Sequence, residues 1–162
     1  MHKPDRYVLT ALSLLTLVIT FHFSADFNLI ASESINLVSF ALAVYSVALG
    51  ALAGDSELAK SMRSTVDPKS NGEQTEQGTL NSYIRCALFL GCTTIIVATL
   101  IIVLHDERWL RKLYYFAWGS RVIGLKLTYR ILSSIGFTLF ACNFFFMYRI
   151  IQFILNRITW NK

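Results

Sequence analysis

The chain has 162 residues, 54% of them hydrophobic and only 15% charged, with a formal net charge of +5. A soluble domain of this size carries roughly a quarter charged residues, whereas here the charges are crowded between long uncharged runs. That pattern excludes an ordinary water-soluble globule and reads as a membrane protein.

A helical crossing of a bilayer needs about 20 mostly apolar residues, and four uncharged runs approach that length, over about 7–23, 34–54, 86–104 and 131–148. A buried helix of a soluble bundle would show a polar face that these runs lack. The expected fold class is an all-α integral membrane protein, a single membrane domain over 1–162 with four transmembrane helices. A cytoplasmic helix and loop are expected over 55–85, and an amphipathic interfacial helix over 105–130, between the third and fourth crossings. The first run follows Lys3 and Arg6 as a signal peptide would, but no small-x-small cleavage site comes after it; it is expected to be a retained anchor.

In the second run Ser46, Gly50 and Gly54 recur every four positions and stack on one helical face, with Gly50 and Gly54 forming a GxxxG pair. Lipid gives little hydrophobic drive between helices, so close backbone approach through such a face is a main source of association. The partner for that face is either another part of the chain or a second copy. Thr10, Ser13, Thr16 and Thr20 on the first helix, and Ser134, Thr138 and Cys142 on the fourth, are expected to serve packing in the same way.

Beyond Gly54 the sequence DSELAKSMR holds no turn residue, so the second helix is expected to continue about two turns into the cytoplasm. Leu58 and Met62, spaced i and i+4, offer a small apolar contact to a soluble partner, with Asp55, Glu57, Lys60 and Arg63 setting register at its rim. The following STVDPKSNGEQTEQGT has the composition of a solvated loop.

Within the basic third connection, Trp109, Leu113 and Phe116 fall on one helical face and Arg108, Arg111 and Lys112 on another, with Trp118 suited to the head-group level. That is the make-up of a helix lying in the membrane interface, apolar side toward the acyl chains and cations toward anionic lipid. In the fourth run Asn143 is the most polar deep residue and is expected to face protein, since an unsatisfied amide in hydrocarbon is costly.

No run carries a mid-membrane carboxylate, Lys or Arg, which argues against coupled transport. There is no GxSxG, P-loop, HExxH or CxxC, and Cys86, Cys92 and Cys142 lie in apolar runs as small hydrophobes. No enzyme activity, cofactor, metal or direct nucleic-acid binding is expected. With both termini cytoplasmic, nine Lys and Arg lie inside (Lys3, Arg6, Lys60, Arg63, Lys69, Arg85, Arg149, Arg157, Lys162) against six outside in the third connection, and the first external loop has none; the positive-inside rule favours that orientation.

A small-residue crossing that runs into a D-x-x-L-x-K-x-M-R segment, within a four-crossing chain of this size, resembles the membrane subunits of Kiwa-type bacterial anti-phage defence systems, over the helical layout and residues 50–63. The resemblance implies a homo-oligomeric inner-membrane component that detects phage attack at the envelope and engages a cytoplasmic DNA-binding partner; it carries no functional residues with it. The expected function is therefore a non-enzymatic, oligomeric, multi-pass inner-membrane subunit that senses envelope or phage-infection stress and recruits a cytoplasmic protein. The alternatives are a holin-like pore that depolarises the membrane and a structural anchor of a larger complex.

Overall fold

The structure, a computed structural model, describes residues 2–54, 57–68, 74–105 and 122–160. These form five helices, α1 (Lys3–His22), α2 (Asn28–Ala53), α3 (Glu57–Ser64), α4 (Glu76–His105) and α5 (Val122–Trp160). Four of them, over Lys3–His22, Asn28–Gly50, Glu76–His105 and Thr128–Asn156, are long and apolar enough to cross a membrane, the make-up of a multi-pass membrane protein. Their outward surface agrees: Phe89, Phe40, Val47 and Leu14 are 61–74% exposed, a load of apolar surface that lipid accepts and water does not.

The helices extend past the uncharged runs because polar helix formers carry each one beyond the hydrocarbon. α4 begins at Glu76, three turns ahead of Cys86, and α5 continues well past Arg149. Pro4 lies in the first turn of α1, where its missing N–H costs nothing, and Asp5 follows it there. Ser24 takes a left-handed backbone, φ 52°, to reverse the chain after α1, and Asp26 Oδ1 accepts from Asn28 N (3.0 Å) at the start of α2.

α1 packs on α5, α5 on α4, and α4 on α2, so the first two crossings, although joined by a tight turn, are held mainly through the last two. Two glycines allow this. A Cβ at Gly91 of α4 would lie 2.6 Å from Leu42 Cδ2 and 3.2 Å from Val38 Cγ1 of α2, and one at Gly136 of α5 would lie 2.8 Å from the Phe27 ring. Small residues at such contacts are how membrane helices approach closely. Phe27, fully buried, fills the space above Gly136 and meets Phe137 edge-on at 5.1 Å.

One sequence expectation is corrected, one is refined and one lies outside the described residues. The second helix does not run unbroken into the cytoplasm: it ends at Ala53, and Gly54 is extended (φ −72°, ψ 176°) before α3 begins as a separate helix. Gly54 is the C-cap of α2, its N–H still donating to Gly50 O at 3.2 Å, so the face shared by Ser46 and Gly50 ends there. The 65–75 connection is not a free loop along its described parts, since Val66 and Thr75 form an antiparallel bridge with Asp67 N donating to Gln74 O (3.0 Å). The expected interfacial residues Arg108, Trp109, Arg111, Lys112, Leu113, Phe116 and Trp118, and also Asp55, lie outside the described residues.

Candidate functional site

The four crossings alternate in direction, so the chain's polar side chains gather at two ends. At the first end meet the start of α1, the 65–75 connection, the first turns of α4 and the last third of α5. Arg149 Nη2 lies 2.7 Å from both carboxylate oxygens of Asp5, and its Nη1 donates to Gln152 Oε1 at 2.5 Å. The Tyr83 hydroxyl donates to Asp5 Oδ2 and accepts from His2 N (3.2 Å). His2 Nε2 contacts Asp67 Oδ2 at 3.3 Å, and that same oxygen accepts from Thr79 Oγ1 at 2.7 Å. Asp5, His2 and Asp67 are all less than a tenth exposed.

Buried charges persist only when paired and hydrogen-bonded. Here every Asp5 oxygen is engaged within the chain, so the cluster acts as a fastener rather than as an open acid or base. Arg149 Nε is buried with no hydrogen-bond partner among the described residues. No group of three or more potential metal ligands occurs among the described residues.

α3 lies over this end. Its Met62 and Ala59 are buried, and Met62 joins a core of Tyr45, Leu80, Tyr83, Ile84 and Phe146. Arg63 Nε donates to Gln77 Oε1 at 3.0 Å, while Lys60 and Ser64 are exposed. Met62 thus faces its own bundle instead of offering an apolar contact outward, because the break at Gly54 lets α3 fold back onto α4. Of the residues expected to meet a partner, Lys60 and Arg63 lie on the outer surface, and Glu57 and Leu58 lie in the first turn of α3.

The second end is built differently. Tyr129 OH donates to Asp26 Oδ1 (2.7 Å), which leaves its oxygen to accept from His105 Nδ1 at 3.1 Å. Arg130 Nε donates to Phe21 O at 2.7 Å, its Nη2 reaches Phe21 O and His22 O (3.1 Å), and its guanidinium lies 4.5 Å over the Phe21 ring. A cation on the last carbonyls of α1 satisfies both their lone pairs and the helix dipole. Ser133 Oγ accepts from Phe27 N (2.5 Å) and donates to Ala25 O (2.9 Å), pinning the α1–α2 turn to α5. Arg130 and Arg149 are nineteen residues apart on α5, about 28 Å of helix rise, close to the roughly 30 Å of a bilayer's hydrocarbon.

Between the ends, Asn143 lies between α4 and α5 and donates to Thr94 Oγ1 (2.7 Å) and Leu139 O (2.9 Å). Among the described residues, Ser46 and Gly50 face away from the other helices, and a Cβ at Gly50 would meet nothing within 4 Å. Sequence reasoning searched the uncharged runs and so passed over Asp5, Tyr83, Arg149, His2 and Asp67. The available signal was an Asp between Lys3 and Arg6 at the mouth of a crossing, with an Arg closing the last run. No protein-family model matches the chain, and neither does a curated protein or a solved structure.

Proposed function

We propose that the chain is a non-enzymatic, oligomeric subunit of a bacterial inner membrane that registers envelope or phage-infection stress and recruits a cytoplasmic protein through α3. One observation carries this reading: α3 packs onto the spans through Met62, which shares a core with Tyr83, and Tyr83 is bonded in turn to Asp5 and through it to Arg149, while His2–Asp67 holds the connection that follows α3 and Lys60 faces outward. Displacement of a crossing then shifts the α3 surface, provided that the bundle has two packing states. The exposed cations Lys3, Arg6, Lys60 and Arg85 lie toward this end, which supports a cytoplasmic assignment for it and for both termini. The resemblance to Kiwa membrane subunits supplies the kind of stimulus.

The test is affinity purification in mild detergent, wild type against a Lys60→Glu/Ser64→Asp variant that alters only exposed α3 positions. The reading expects a soluble protein to co-purify with the wild type and to be lost from the variant, with phage protection lost alongside. Identical co-purification and intact protection would reduce α3 to a lid on the bundle. A planar-bilayer conductance from the pure protein would favour the pore alternative instead.

A further inference from the structure

Two side-chain amides lie within the crossings, and the chain treats them in opposite ways. Asn143 is enclosed between α4 and α5 with both amide hydrogens used. Asn36, eight residues into α2 and one turn past the exposed Glu33 where the uncharged run begins, is exposed and has no hydrogen-bond partner among the described residues. An amide turned toward hydrocarbon without a partner is costly, by a few kcal/mol on transfer scales. Asn36 is also not alone. Ser32, Asn36, Ser39, Ala43, Ser46 and Gly50 are all exposed and spaced 4-3-4-3-4, the a/d repeat of two helices crossing at a small left-handed angle. Asn36, Ala43 and Gly50 fall at one of the two heptad positions and the three serines at the other.

We infer that this face of α2 packs against the same face of a second copy of the chain, parallel, about a two-fold axis along the membrane normal, with Asn36 bonded to its counterpart. The inference rests on the oligomeric reading above and names its interface. Three facts select a second copy as the occupant. In a parallel symmetric pair each residue meets itself, and a carboxamide, donor and acceptor at once, is complementary to itself. The seam residues are small, so two backbones approach closely enough for the short Asn side chains to meet. The heptad spacing continues through five intervals in register with the amide, and a single Asn at such a position fixes register and copy number.

The test uses single-cysteine variants, in a background with Cys86, Cys92 and Cys142 changed to Ala, oxidised in native membranes. Asn36→Cys, Ala43→Cys and Ser46→Cys are expected to form disulfide-linked dimers. Leu37→Cys and Val44→Cys, also exposed but turned away from the seam, are expected to remain monomeric. Adding Asn36→Leu to the Ala43→Cys variant should lower dimer association by about threefold to twentyfold, the measured range for one interhelical hydrogen bond in a membrane. Equal crosslinking at Val44 and Ala43 would overturn the assignment. So would a pure protein that is oligomeric by native mass measurement yet gives no crosslink at the seam, which would leave the oligomeric reading standing with a different interface. A monomer by native mass measurement would sink both.

Discussion

The two ends of the bundle solve the same problem by different means. At the first, an ion pair, a phenol and an imidazole lock four segments together around Asp5. At the second, Arg130 caps α1, and hydrogen bonds from Tyr129 to the Asp26 carboxylate and through the Ser133 hydroxyl hold the turn. The first joins parts of the chain as far apart as residues 5 and 149 around a buried ion pair; the second ties the α1–α2 turn and the end of α4 to the start of α5. The difference teaches where movement is costly. Opening the first end strands buried charge, whereas opening the second exposes groups that water at a membrane surface can satisfy.

Breaking the first end should therefore have the largest effect. Arg149→Met leaves the Asp5 carboxylate buried without its partner, and removing one member of a buried pair costs about 3–5 kcal/mol. Thermal unfolding in mild detergent should show this loss, with part of it recovered in the Asp5→Asn/Arg149→Met double variant. Next comes Gly136→Ala, at the second end, whose new methyl must displace the Phe27 ring; overpacking of this kind costs about 1–3 kcal/mol. Gly91→Ala should cost less than Gly136→Ala by the same measurement, because the closest atom, Leu42 Cδ2, is a side-chain tip that can turn aside. Tyr129→Phe removes two hydrogen bonds at the membrane edge and should cost about 1–2 kcal/mol. The smallest effect is expected for His2→Ala, which releases the contact to Asp67 and a tilted ring contact with Tyr83, at about 0.5–1 kcal/mol because Thr79 still donates to Asp67. If Tyr129→Phe proves more damaging than Arg149→Met, the ranking of the two ends is inverted.

How much of this was legible in the sequence follows from the range of the forces involved. The four crossings were legible because hydrocarbon thickness sets a minimum uncharged length, and runs such as 86–104 meet it without reference to anything distant. The inward turn of Asn143 followed from the cost of a bare amide in lipid. The break at Gly54 was not legible, since the following residues are good helix formers and only the docking of Met62 among Tyr45, Leu80 and Tyr83 explains why α3 turns back. The cluster at the first end was missed for a related reason: Asp5 and Arg149 lie outside the uncharged runs and 144 positions apart, and no local pattern links them. Gly91 and Gly136 were passed over because each is a lone glycine whose meaning comes from the side chain opposite, Leu42 for one and Phe27 for the other.

The central claim is that α3 is joined to the crossings through Met62 and Tyr83, with Tyr83 held in turn by Asp5 and Arg149. Hydrogen exchange in lipid nanodiscs, wild type against Arg149→Met, tests it most directly. The account predicts slow exchange across Glu57–Ser64 in the wild type and a marked acceleration there, and around Asp67, in the variant, while the middle of α2 near Val38 stays protected. Unchanged protection of α3, with faster exchange confined to the first turns of α1, would contradict it.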